Sequence, residues 1–114
     1  MSGTSAGGTD AVLVLVTAPS AEKAAELARA VVEEGLAACG NVVPGLRSIY
    51  RWEGQVQDEA EVLLVFKTRA SLFERLRARV VSLHPYQVPE VIALPIQAGH
   101  APYLAWIRES TREG

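Results

Sequence analysis

Ala11-Val12-Leu13-Val14-Leu15-Val16-Thr17-Ala18-Pro19-Ser20 is the stretch on which the fold turns. Its apolar run is short, rich in Val and Leu and closed by a Thr-Ala-Pro-Ser turn signal, which favours a buried strand over a helix. After Ser20 the period changes. Ala24, Leu27, Ala28, Val31 and Val32 recur three and four apart, predicting a helix with Ser20 as N-cap and Gly35 as its left-handed terminator.

The same strand-then-helix phrase returns further along. Residues 61–68 read as a strand, and Leu72, Leu76, Val80 and Leu83 then line one helical face. Ser71 and Glu74 have the spacing of a capping box, and Pro85 closes the helix because the residue before a proline avoids helical dihedrals. Between the two phrases, residues 36–52 predict a long strand bent at Pro44-Gly45, with Ile49, Tyr50 and Trp52 supplying β-branched and aromatic side chains. The Gly in Trp52-Glu53-Gly54-Gln55-Val56 marks a hairpin. Residues 90–96 make a fourth strand, an edge or strand end by Pro95, and Pro102 opens a short last helix.

The order βαββαβ plus a C-terminal helix is that of an α+β, ferredoxin-like antiparallel sheet. Such a sheet has helices on one face and commonly leaves the other to water, where its strands should alternate apolar with polar. Residues 11–16 and 62–66 are apolar on both faces instead. A further copy of the same chain is the economical cover, so a homo-oligomer is expected.

Composition narrows the function. The 114 residues fit one domain, expected over residues 10–114 behind a disordered Ser/Gly/Thr-rich tail at 1–9. Eleven Lys and Arg against thirteen Asp and Glu leave a formal charge of −2, without the basic footprint of a nucleic-acid binder. Apolar runs of about six residues are far short of the roughly 20 that span a bilayer, so no membrane insertion is expected. One cysteine, Cys39, cannot form an internal disulfide, and a cytoplasmic location fits best.

The densest cluster of chemically capable residues is His84-Pro85-Tyr86-Gln87-Val88-Pro89-Glu90. Imidazole, phenol and carboxylate on a proline-stiffened loop could hold a metal or move protons. His84 could equally cap the preceding helix while Glu90 pairs with a base. Cys39 is a soft metal ligand in principle, though its small apolar surroundings favour a core position. Lys67, ending an apolar strand, needs a partner such as Glu90 or a bound anion. Tyr50, Trp52, Tyr86, Tyr103 and Trp106 are aromatics of the kind that line clefts between subunits. His100 reads as a surface residue, and Arg75, Arg77 and Arg79 as a solvated helix face around Glu74. No nucleophile elbow, phosphate loop or closed zinc spacing is present, so no enzyme is expected.

Thr17-Ala18-Pro19, the run 35–44, Ser48-Ile49-Tyr50-Arg51-Trp52-Glu53-Gly54, Lys67-Thr68, the loop 84–90 and Tyr103-Leu104-Ala105-Trp106, in this order, resemble the CutA divalent-cation tolerance family over about residues 11–110. The resemblance implies a ferredoxin-like homotrimer, similar in architecture to the PII signalling proteins, with a role in the response to metal ions. In copper-binding members a Cys just before Thr-Ala-Pro and a second His beside the loop His are candidate ligands. Here Val16 and Leu83 stand at those places. His84, with Glu90 and Cys39, is left as the candidate donor set for a weakly bound divalent metal, copper or zinc, the only cofactor implied. The alternative is a PII-like signalling or scaffold module that binds a small anion or a partner protein at an inter-subunit cleft, through Tyr50, Trp52, Lys67, Tyr86, Tyr103 and Trp106.

Overall fold

The computed structural model describes residues 9–113. β1 is Ala11–Ala18, α1 Ala21–Glu33, β2 Cys39–Trp52, β3 Gln55–Arg69, α2 Phe73–Leu83, β4 Val91–Pro95 and α3 Ala101–Glu109, with one 3-10 turn, Ala70–Leu72, leading into α2. The strands lie in the order β2-β3-β1-β4, every neighbouring pair antiparallel. This is the expected α+β ferredoxin-like sheet with a C-terminal helix, and Pro95 does lie on an edge strand. The tail expected over 1–9 lies outside the described residues except for Thr9. That hydroxyl donates to the Ile96 carbonyl at 2.6 Å and accepts from the Ala11 N–H at 3.2 Å.

Period two along the central strands decides where the core sits. Val12, Val14, Val16 and Ala18 pair with Thr68, Phe66, Leu64 and Val62, and all eight are buried. They pack against Ala24, Leu27, Ala28 and Val31 of α1 and Leu76 and Val80 of α2. The predicted N-cap is in place: the Ser20 hydroxyl accepts from the Lys23 N–H at 3.1 Å. Thr68 is the one polar side chain in this layer of β3, and its hydroxyl donates to the Leu36 carbonyl at 2.7 Å. A second, smaller cluster of Ala11, Ala38 and Ile107, with Leu104 and Ile96 against it, seats α3 at the other end of β1.

The alternate residues face the other way. Leu13, Leu15, Leu63 and Val65 are only half-buried, and Ile92 and Leu94 of β4 are exposed. No helix among the described residues covers this apolar face.

β2 and β3 continue past the sheet as a long two-stranded arm. The bend expected at Pro44-Gly45 is a break in register between Val43 and Leu46. At the tip, Glu53 and Gly54 both have positive φ, 51° and 79°, as a two-residue hairpin of matching twist requires. β3 starts six residues before the expected 61, at Gln55. Gln55, Gln57, Asp58 and Glu59 hide it, because an arm with little core beneath it has no need of apolar alternation. Arg47 instead makes two hydrogen bonds across it to Asp58, at 2.8 and 2.7 Å.

Three local expectations are corrected. The long second strand begins at Cys39 rather than residue 36, because Leu36 N–H still bonds the Val31 carbonyl at 3.0 Å as the chain leaves α1. Cys39 is half-buried rather than in the core. It pairs with Lys67 on the uncovered face, its thiol 3.6 Å from Asn41 Oδ1. Ser71 does not form a capping box, since it lies within the 3-10 turn and donates to Glu113 Oε2, while Glu74 pairs with Arg77 at 3.0 Å.

Thr68→Val keeps the shape of a buried side chain but strands the Leu36 carbonyl. We expect a loss of about 1–3 kcal/mol, measured as a lower denaturant midpoint at unchanged slope.

Candidate functional site

The loop 84–90 folds back beside the end of β1. His84 is buried, and both of its ring nitrogens are occupied. Nδ1 accepts from the Tyr86 N–H at 3.1 Å, and Nε2 lies 2.7 Å from the Thr17 carbonyl oxygen. An acceptor role at Nδ1 leaves the proton on Nε2, so the ring donates to Thr17 and ties the loop to the strand. This corrects the expectation that the imidazole caps the helix. His84 sits at the C-terminus of α2, but the contact there is its backbone N–H to Val80 O.

His84 thereby places Tyr86, whose ring packs on it at 4.6 Å between centroids. The Tyr86 hydroxyl donates to Glu61 Oε2 at 2.6 Å. Glu61 is 8% exposed, a carboxylate taken out of water with a phenol as its hydrogen-bond donor among the described residues. Burial first, then the hydrogen bond to Glu61, raises the Tyr86 pKa far above the ordinary phenol value. On the arm, Tyr50 donates to Glu59 Oε1 at 2.5 Å, and that bond is the largest cause of its raised pKa.

Between arm and loop lies a cleft of about 610 Å³. Tyr50, Trp52 and Tyr86 supply its aromatic surface, Ile49 and Val88 its aliphatic surface, and Glu61 and Glu90 its charge. Thr17, Ser48 and Gln87 complete the lining, which includes no Lys or Arg. Register places Ser48, Tyr50, Trp52 and Glu61 on the same side of the ladder as Leu63 and Val65, so the cleft opens beside the uncovered apolar face.

The expected residues therefore divide between the two ends of the sheet. Tyr50, Trp52, Tyr86 and Glu90 line the cleft, with His84 beneath them. Lys67 and Cys39 lie four positions up β3 from Leu63, the partner of Thr17, roughly 13 Å along the strand. The Lys67 ammonium donates to Asn41 Oδ1 at 2.5 Å rather than to Glu90. Tyr103 and Trp106 stack on α3, ring centroids 5.3 Å apart, outside the cleft. Glu90 is exposed and forms no ion pair among the described residues. His84, Glu90 and Cys39 do not come together, and no group of three His, Cys, Asp or Glu among the described residues is placed to hold a metal. With both His84 nitrogens engaged as well, one chain does not fit the metal donor set expected of it. Glu61 is the site residue that sequence reading passed over. Its only signal was a carboxylate at the head of an apolar strand.

Comparison with known proteins bears on what this fold and cleft belong to. The CutA1 divalent ion tolerance protein family matches residues 12–110. The divalent-cation tolerance protein CutA of Thermus thermophilus is 56% identical over 99 residues, 87% of this chain and 96% of that protein. A chloroplastic CutA 1 of Oryza sativa is 52% identical over 102 residues, 90% of this chain but 58% of that longer protein. The crystal structure of CutA1 from Oryza sativa superposes with a TM-score of 0.90 at 49% identity, covering 95% of this chain and 99% of that one. The chain belongs to the CutA1 divalent ion tolerance family. The family is named for tolerance and not for a reaction, and its chloroplastic relative shows that family membership does not fix the compartment. No helix among the described residues is long and apolar enough to cross a membrane.

Raised phenol pKa values mean that the protonated phenols are favoured by the fold. Their contribution to stability is whole below pH about 10, the unfolded value, and is lost as pH rises beyond it. Alkaline absorbance titration should show a late phenolate component that Tyr86→Phe removes.

Proposed function

We propose that the chain is a non-enzymatic, homotrimeric binding module in the response to divalent cations, with the cleft between arm and loop as its ligand site. The observation that carries this reading is the continuity of that cleft with an uncovered apolar sheet face. A second copy laid over Leu13, Leu15 and Val65 would both bury the face and wall the cleft. The free edges, β2 and β4, lie on opposite sides of the sheet. Contact of β2 in one copy with β4 in the next is head-to-tail, the kind of contact that builds a ring when its rotation closes. A ring of three agrees with the architecture that the family resemblance implies.

Metal tolerance in this reading does not come from sequestration at His84, whose ring holds the loop in place. Copper or zinc would need donors shared between subunits. The aromatic cleft supports a ligand-responsive module, akin to the PII-like alternative, more directly than it supports a metal store. A location in the cytoplasm fits the lone, unpaired Cys39.

Sedimentation equilibrium should return the mass of three chains, and the mass of one would overturn the assembly. Leu15→Arg, which puts a charge on the apolar face, should shift the population towards monomer. Calorimetric titration with Cu²⁺ and Zn²⁺ should give the same heats for the native chain and for His84→Ala. Saturable binding that vanishes in the variant would restore the metal reading. His84→Ala should itself lower stability by about 1–3 kcal/mol, through the loss of its two part-buried hydrogen bonds.

A further inference from the structure

The cleft has a sign. Both phenolic protons near it are committed to carboxylates, Tyr86 to Glu61 and Tyr50 to Glu59. Beside the neutral Thr17, Ser48 and Gln87, what the walls offer a ligand is therefore electron-rich: aromatic ring faces, phenol lone pairs and the carboxylates of Glu61 and Glu90. No Lys or Arg lines it. Such a cleft repels the small anion expected from sequence.

Glu61 sharpens this. It is more than nine-tenths buried, its Oε2 accepts from Tyr86, and no donor reaches Oε1 among the described residues. A carboxylate removed from water with half its capacity unmet is costly unless a cation or further donors complete it. An ammonium group supplies charge and three N–H donors at once, and aromatic faces attract the same charge.

A bare metal ion is a poorer fit. Hard divalent cations need six or more oxygens, whereas no group of three potential ligands is assembled among the described residues. A volume of about 610 Å³ lies in the range of small organic molecules, roughly 300–1,000 Å³. Ile49 and Val88 give an apolar body somewhere to rest.

We infer that the cleft binds an organic amine in its ammonium form, the nitrogen on Glu61 with Glu90 nearby and the apolar body against Tyr50, Trp52 and Tyr86. This rests on the cleft being the ligand site of the proposed module, and it names the chemical class of that ligand.

The test uses the assembled protein carrying Trp106→Phe, which leaves Trp52, on the cleft wall, as its one tryptophan. Phenethylammonium chloride should change Trp52 fluorescence saturably. Phenethyl alcohol, with a hydroxyl in place of the ammonium, and phenylacetate, with the opposite charge, should not. Glu61→Gln, which keeps the shape and an acceptor for Tyr86, should weaken the ammonium response about tenfold or more. Glu90→Gln, at an exposed position that leaves folding untouched, should weaken it severalfold and make it less sensitive to salt. Equal binding of the alcohol, tighter binding of phenylacetate, or unchanged affinity in both variants would overturn the inference. A protein that sediments as a trimer yet ignores the amine would overturn the ligand class and leave the trimer standing. A single-chain mass would instead remove the module reading itself.

Discussion

Period-two alternation along the β1–β3 ladder is the constraint from which the rest follows. At the even positions of β1, Val14 and Val16 meet Phe66 and Leu64, flanked by Val12 and Ala18, under two helices. At the odd positions Leu13 meets Lys67, Leu15 meets Val65 and Thr17 meets Leu63, on a face that no helix among the described residues covers. A slip of one residue would exchange the two sets, so register is fixed by the helix-covered core, and the fixed register sets what the open face displays. That face carries leucines and valines at its centre and an acidic, aromatic cleft at one end. The proposed oligomer and the proposed ligand site thus both rest on one alternation.

The cleft owes its shape to a chain of hydrogen bonds. His84 donates to the backbone of β1 and accepts from Tyr86, and Tyr86 donates to Glu61 on β3. Three segments far apart in sequence are held in one arrangement, with a histidine used as a bolt rather than as a ligand. A buried histidine with both nitrogens satisfied is chemically quiet. The reactive edge of the site moves to Glu61, whose own requirements are only half met. The acidic character of the site follows from this, since the phenols that could have served an anion are spent on carboxylates.

Residues with local signals were read correctly from the chain. Ser20 caps α1, Gly35 ends it, Glu53-Gly54 turns the arm and Pro95 lies on an edge, each because its side chain or φ restricts what the backbone can do nearby. Signals that depend on distant company misled. Ser71 has capping-box spacing, yet Glu113 from the far C-terminus takes its hydroxyl. Cys39 sits among small apolar residues, yet the parity of β2 turns it to the open face beside Lys67. The first half of β3 was invisible, because its polar residues obey cross-arm pairing such as Arg47 with Asp58 rather than burial.

The sequence by itself determined the order of elements, the ferredoxin-like class, the doubly apolar central strands and the family. All of these rest on periodicity, turn chemistry and motif order, which are local. Only the tertiary structure decided that Lys67 and Cys39 lie at the opposite end of the sheet from His84, that His84 has no nitrogen to spare, and that Glu61 lies buried against Tyr86 in the cleft. These depend on strand register and on contacts between residues 25 to 67 positions apart. Such contacts leave no periodic trace along the chain, because a carboxylate at a strand head looks the same whether water or a phenol finally meets it.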